Sequence, residues 1–125
     1  VEELLRAYSI VNMRRIVTCD VEIRGVQMKA GDIVLISTEL GNTDPEVFED
    51  PCEVNFDRGD GNAPHMAFSF GAHRCVGSHL ARRELRIALE LWLQKVPIFR
   101  LAEDCNPVMR AAGVFGMDEL IFEWD

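Results

Sequence analysis

Changes in the spacing of apolar residues divide this chain into short elements. Leu4, Leu5 and Tyr8 are spaced as on one helix face, behind acids that suit a helix N-terminus, so residues 1–8 are predicted to be helical. Segments rich in β-branched residues, separated by glycine-containing turns, predict a small antiparallel sheet over residues 16–37. The chain therefore opens with a helix that is followed by strands.

The middle of the chain is rich in residues that interrupt regular structure. Glycine, proline, asparagine and aspartate recur over residues 41–66, which excludes long helices and strands there. An irregular stretch of this length inside a compact domain is usually functional. We therefore expect an irregular meander over these residues.

A long amphipathic helix is predicted behind a glycine-bounded loop. The loop covers residues 68–77, and the helix covers residues 78–96 and stops before Pro97. Its apolar stripe is predicted to consist of Ala81, Leu85, Ala88, Leu89 and Trp92, and its outward residues of Arg82, Arg83, Arg86 and Glu90. Short apolar runs in residues 98–125 predict a closing hairpin.

Composition narrows the class of protein. A chain of 125 residues with 48% hydrophobic and 27% charged content suits one small globular unit. No apolar run approaches the roughly 18 residues of a membrane-spanning helix, and the first residues do not have the order of a signal peptide. The sequence therefore predicts a cytoplasmic protein that does not bind membranes.

Charge argues against nucleic acid as a partner. The net charge is −8, with 21 acids against 13 bases, whereas a phosphate-binding surface needs an excess of lysine and arginine. The bases are unevenly placed, since Arg74, Arg82, Arg83 and Arg86 have a single acid, Glu84, among them. A local positive patch is therefore expected on an acidic protein.

Four cysteines, Cys19, Cys52, Cys75 and Cys105, lack the C-x-x-C spacing of a structural zinc site. Cys75 differs from the others because it lies before the long helix, where free N–H groups and the helix dipole favour a thiolate. The residues alone leave open a structural cysteine and a nucleophile, and nothing in the spacing makes His73 its base.

Three motifs in this chain resemble those of the cytochromes P-450. The segment Phe68-x-x-Gly71-x-His73-x-Cys75-x-Gly77 resembles the haem-binding loop of that family. Two further motifs precede it in the family's order: Glu3-Leu4-Leu5-Arg6, similar to the E-x-x-R helix, and Asp44-Pro45-Glu46-Val47-Phe48-Glu49-Asp50-Pro51 with Phe56-Asp57-Arg58, similar to the meander. The segments His79-Leu80-Ala81-Arg82-Arg83-Glu84 and Glu123-Trp124-Asp125 are most similar to the camphor-hydroxylating bacterial type.

The resemblance implies the C-terminal α+β part of the P-450 fold, which is mainly α with small β-sheets. It also implies haem b, iron protoporphyrin IX, as the cofactor, with Cys75 as the axial iron ligand. In that case Gly71 and Gly77 let the loop pass under the porphyrin, and Phe68 packs near the sulfur. His73 and Arg15 would bind the haem propionates.

Further roles are carried over by the same resemblance. Glu3, Arg6 and Arg58 would form a structural network that braces the meander against the first helix. Val11, Met13 and Val114 would contact substrate, although Met13 stands where the camphor type has an acid. An acidic ferredoxin-type electron donor would dock at Arg74 and Arg82.

The function implied is a monooxygenase that inserts one atom of O2 into a small apolar organic substrate. The family's oxygen-activating helix is expected before residue 1, so the isolated chain is expected to be an inactive fragment. Two alternatives stay open: a separate haem-binding redox module, and a truncated, non-catalytic remnant. Apolar surface left uncovered on such a piece would favour self-association.

Overall fold

A computed structural model describes residues 1–58, 65–111 and 113–124 of the chain. Its elements are α1 (Glu2–Ala7), β1 (Asn12–Ile16), β2 (Val21–Ile23), β3 (Val26–Met28), β4 (Ile33–Ser37), α2 (Thr38–Asn42), a 3-10 helix (Gly71–His73), α3 (Ser78–Lys95), β5 (Arg100–Leu101), β6 (Met109–Arg110), β7 (Gly116–Met117) and β8 (Phe122–Glu123). Residues 59–64 of the predicted meander, and Ala112 and Asp125 of the predicted hairpin, lie outside the described residues.

The strands predicted as one sheet over residues 16–37 form two separate antiparallel pairs. β1 begins earlier than predicted and pairs with β4, so that Asn12 lies opposite Ser37. β2 pairs with β3 as an independent hairpin. The hairpin has a local cause, because Arg24 and Gly25 have φ values of 49° and 80° and form the tight two-residue turn that matches strand twist.

A short helix and a series of turns follow the last of these strands. The Ser37 hydroxyl accepts a hydrogen bond from the Leu40 N–H at 3.3 Å and caps the N-terminus of α2. Beyond α2 the chain forms turns, such as the one in which the Phe48 N–H donates to the Asp44 carbonyl at 2.9 Å. This irregular path brings the chain back against α1.

The apolar stripe of α3 divides between two environments. Ala81, Leu85 and Leu89 line a cavity shared with α1 and β1. Trp92 instead packs against three aromatic rings near the end of the chain, with centroid separations of 5.7 Å to Phe99, 6.0 Å to Phe122 and 5.8 Å to Trp124. The two-residue strands β5 and β8 pair next to this cluster, and β6 and β7 pair between them in sequence.

Polar groups dominate the interior of the described ranges. Within them Phe48 and Ala102 are the buried apolar residues, whereas the largest fully buried side chains are those of Arg6, Asn42, Thr38 and Ser78. Many large apolar side chains are exposed, including Val76 at 99%. Apolar surface of this extent is typical of a face that another part of a protein or a ligand covers.

In the described part of the chain, no helix combines the length and apolar character needed to cross a bilayer.

Candidate functional site

A cavity of about 680 Å³ lies between α1, β1, α3 and the loop of residues 68–77, which is called the cysteine loop below. Its wall is largely apolar: α1 supplies Leu4 and Leu5, β1 supplies Met13, and α3 supplies Ala81 and Leu85. Ligand pockets usually have volumes of about 300–1,000 Å³ and combine apolar walls with a few polar groups. This cavity therefore has the size and character of a cofactor or substrate site.

The cysteine loop contributes a thiol and an imidazole to the cavity, whose other polar lining residues include Ser9 and Thr38. Phe68, His73 and Cys75 all line it. The backbone of the loop holds them together, since the Cys75 N–H donates to the Phe68 carbonyl at 2.9 Å. Cys75 is an exposed free thiol three residues before the first residue of α3. The loop thus presents a thiol and an imidazole at the edge of an apolar cavity.

The two loop glycines have different roles. Gly71 has a φ of 64°, in the left-handed region that favours glycine, and a side chain there would meet no atom within 4 Å. Gly77 has an ordinary φ of −80°. A Cβ at Gly77 would lie 3.8 Å from the Cys75 sulfur. Gly71 thus permits a left-handed backbone, whereas Gly77 leaves space beside the sulfur.

Strand alternation decides which of two neighbouring arginines lies near the cavity. The Arg15 Nη2 atom lies 3.8 Å from the Met13 sulfur, so Arg15 is on the same face of β1 as a cavity-lining residue. Arg14 is exposed on the opposite face. Arg15 does not itself line the cavity, and its Nη1 donates to the Arg14 carbonyl at 2.8 Å.

The three predicted substrate contacts are neighbours, but only two of them line the cavity. Val11 and Met13 line the cavity. Val114 is bridged to Val11 through the backbone, but it does not line the cavity and is half exposed. The role of Val114 as a substrate contact stays a prediction.

Glu3, Arg6 and Arg58 are in direct contact. The Arg6 guanidinium donates to both Glu3 carboxylate oxygens, at 2.8 Å and 2.7 Å, and the Arg58 Nε donates to Glu3 Oε1 at 3.2 Å. Arg6 also donates to the Pro51 and Glu53 carbonyls at 2.7 Å and 2.9 Å. One buried guanidinium therefore joins α1 to the meander.

This network changes the acidity of Glu3. The hydrogen bond from Arg6 has the largest effect; together with the Asn55 N–H and Arg58, it outweighs the effect of burial and lowers the pKa of Glu3 to about 2. Arg6 is almost fully buried and its guanidinium lies 5.2 Å from the Phe48 ring centroid. The carboxylate is thus held in its charged form to unusually low pH.

Sequence reasoning missed Asn42, which links three segments. Its Nδ2 donates to the Ser9 hydroxyl at 2.5 Å, its Oδ1 accepts from the Met66 N–H at 2.5 Å, and its carbonyl accepts from Arg6 at 2.8 Å. The residue is fully buried. In the sequence an asparagine after Gly41 indicates only a turn, so no local signal distinguishes this role.

Arg82 does not face outward as predicted. Its Nε donates to the Glu2 carboxylate at 2.8 Å and 3.0 Å, and its guanidinium carbon lies 4.6 Å from the Phe68 ring centroid. The same carboxylate contacts the His65 Nε2 at 2.9 Å. Glu2 and His65 were not singled out from the sequence, because their partner on α3 is distant along the chain. Arg74, in contrast, is exposed as predicted.

The residues around the cavity suit a haem group. Cys75 offers a sulfur ligand, Gly77 leaves space beside it, and His73 and Arg15 are polar groups that could hold carboxylates at or near the edge of an apolar cavity. Within the described ranges no three histidine, cysteine or acidic side chains cluster as they would around a bare metal ion.

A family model described as Cytochrome P-450 matches residues 1–114 of the chain. The chain belongs to the cytochrome P-450 family. Among curated P-450 relatives, the probable cytochrome P-450 127A1 of Sinorhizobium fredii is 42% identical over 98% of this chain and 29% of its own length. The steroid C26-monooxygenase of Mycolicibacterium smegmatis is 41% identical over 90% of this chain and 28% of its own length.

Solved P-450 structures confirm the predicted partial fold. The cytochrome P-450 CYP101C1 structure superimposes with a TM-score of 0.90 at 40% identity, covering 99% of this chain and 32% of that one. P450BioI, crystallised with a fatty-acid-ligated acyl carrier protein, gives a TM-score of 0.86 at 32% identity, covering 99% of this chain and 32% of that one. The chain spans about a third of the length of these P-450 proteins.

Proposed function

We propose that this chain supplies the cysteine ligand and the surrounding wall of the haem site in a haem-thiolate monooxygenase. The observation that carries the proposal is the position of Cys75, His73 and Phe68 on one apolar cavity of about 680 Å³. Family membership supports it, since relatives matched over nearly all of this chain are named as monooxygenases and hydroxylases. The proposed cofactor is haem b.

Each residue has a stated part in this proposal. Cys75 binds the iron, and Gly77 leaves space beside its sulfur. His73 and Arg15 bind the two propionates, which fixes the orientation of the ring. Apolar side chains from α1 and α3 exclude water from the site. When bound, the haem supplies the activation of O2 that lets one oxygen atom be transferred to substrate.

The proposed substrate is a small apolar organic molecule. Val11 and Met13 give the β1 side of the cavity an apolar surface with no charged side chain. The relatives point to the same class, because one is named for vitamin D3 and another for a steroid. Apolar walls of this kind select by shape and hydrophobicity more than by hydrogen bonding.

The proposed electron donor is an acidic ferredoxin-type protein that docks beside the cysteine loop. Arg74 is exposed next to Cys75 and leaves its charge available to a partner. Arg82 is a weaker candidate than the sequence indicated, because Glu2 neutralises it and its side chain is only 27% exposed. Complementary charge of this kind mainly increases the rate of encounter.

The isolated 125-residue chain is proposed to be inactive and prone to self-association. Its described residues bury few apolar side chains, and residues such as Val76, Ile98 and Leu40 are more than two thirds exposed. A surface of this kind is stable when covered and otherwise promotes association. Sustained NADH-driven hydroxylation by the 125-residue chain, with redox partners present, would contradict this part of the proposal.

The test of haem-thiolate ligation is the visible spectrum of the reduced carbon monoxide complex. We expect the red-shifted Soret band of thiolate ligation in the haem-loaded protein and its loss in Cys75→Ala. Cys105→Ala is the matched control, since it removes another free thiol that does not line the cavity. Retention of the band in Cys75→Ala, or its absence from the wild type, would overturn the proposal.

A further inference from the structure

We propose that Glu2, His65 and Arg82 form a clamp that positions the Phe68 ring beside Cys75 and thereby sets the reduction potential of the bound haem. The inference rests on the haem-thiolate function proposed above. It assigns positioning roles to three residues outside the motif of the cysteine loop.

The centre of the clamp is the Glu2 carboxylate, which joins three parts of the chain. It lies on α1, accepts two hydrogen bonds from Arg82 on α3, and contacts His65 on the segment that leads into the cysteine loop. Burial alone would raise the pKa of Glu2, but the hydrogen bonds from Arg82 and His65 outweigh it and lower that pKa. The carboxylate is therefore charged and can hold the guanidinium.

His65 is oriented by its backbone surroundings. The Ala67 N–H donates to the His65 Nδ1 at 3.3 Å, which makes Nδ1 an acceptor. Nε2 then carries the proton and donates to Glu2 at 2.9 Å. The imidazole is 95% buried, and both of its nitrogens have a partner. This ring thus holds Oε2 of the carboxylate, while the Arg82 Nε contacts both Oε1 and Oε2.

Arg82 is held by Glu2 and in turn contacts the Phe68 ring. Its guanidinium carbon lies 4.6 Å from the Phe68 ring centroid, the range of a cation–π contact. The Phe68 carbonyl accepts the Cys75 N–H at 2.9 Å, and both residues line the same cavity. An aromatic ring beside a thiolate changes the polarity around the sulfur, and the surroundings of an iron ligand tune the reduction potential. Loss of the clamp would release that ring.

The test uses the haem-loaded, full-length protein and a variant that keeps the local charge balance. Glu2→Gln with Arg82→Gln removes one negative and one positive charge, so a change in reduction potential cannot come from net charge. The matched control is Arg86→Gln with Glu90→Gln. That pair has the same residue types and the same 2.8 Å Nε to Oε1 distance, but both of its residues lie on α3 and both side chains are exposed. Among the described residues, the guanidinium that lies over the Phe68 ring is that of Arg82.

We expect a resolved shift of the reduction potential in the clamp variant and none in the control variant. The shift should disappear when both are compared in a Phe68→Leu background, because contacts that act through one group are not additive. If the double variant does not fold, Arg82→Lys replaces it. Lysine keeps the charge but not the planar group that stacks on the ring, so a smaller shift of the same sign is expected.

Three results would overturn the clamp: an unchanged potential, an equal shift in the control, or a shift that persists fully in the Phe68→Leu background. The proposed function is tested separately on the same samples. Absence of the red-shifted carbon monoxide band from the wild type rejects haem-thiolate ligation itself. Presence of that band with an unchanged potential rejects only the clamp.

Discussion

Replacing Glu3 by glutamine should destabilise the protein strongly at neutral pH. Arg6, which is almost fully buried, would lose the carboxylate that neutralises it, while its hydrogen bonds to backbone carbonyls remain. The network lowers the pKa of Glu3 from its ordinary 4.5 to about 2. Since one pKa unit corresponds to about 1.4 kcal/mol, the expected loss is about 3 kcal/mol at pH 7.

The same shift predicts how stability depends on pH. The pKa of Glu3 is lower in the folded protein, so its stabilising contribution is complete well above pH 4.5 and is lost as pH falls towards 2. At pH 3 about 1.4 kcal/mol of the contribution should remain. The difference between wild type and Glu3→Gln should therefore shrink by more than half between pH 7 and pH 3.

The assay is urea unfolding followed by the combined fluorescence of Trp92 and Trp124, whose rings pack together with a centroid separation of 5.8 Å. Glu90→Gln is the control, since it breaks an exposed ion pair with Arg86 and should cost no more than about 0.5 kcal/mol. The reasoning is refuted if Glu3→Gln costs no more than this control at pH 7. A loss that stays constant between pH 7 and pH 3 would also refute it.

Three further predictions concern other parts of the molecule. Gly41→Ala should cost less than about 1 kcal/mol in urea unfolding, because the new Cβ would lie 2.7 Å from the Met66 sulfur, which belongs to the flexible end of its side chain and can move away; the penalty should vanish in a Met66→Ala background. Trp92→Leu should lower the free energy of unfolding, measured by circular dichroism, by about 2 kcal/mol, because the ring contacts are lost. An unchanged free energy would show that this aromatic cluster does not stabilise the fold. Arg74→Glu should slow the first electron transfer from the ferredoxin-type donor, measured by stopped flow, more at low salt than at high salt. Arg110→Glu, in the β6–β7 sheet, should not slow it. Equal rates for both variants would show that the donor does not dock at Arg74.

Local features of this protein could be predicted from its sequence because short-range physics sets them. The spacing of apolar residues predicted the long helix, observed as Ser78–Lys95, within one residue of its end. The loop motif placed Cys75 before that helix, and Gly71 has the left-handed backbone that glycine permits. Membership of the cytochrome P-450 family was predicted from the same motifs and is confirmed by the match of the family model to residues 1–114.

Contacts between distant segments were decided only by the tertiary structure. Helical periodicity placed Arg82 outside the apolar stripe, but a carboxylate 80 positions earlier pairs with it and turns it towards Phe68. Asn42 resembled an ordinary turn residue until the fold brought Ser9 and Met66 to its two amide atoms. Periodicity reports the face of one element, whereas a buried polar group takes whichever partner the packing of other elements supplies.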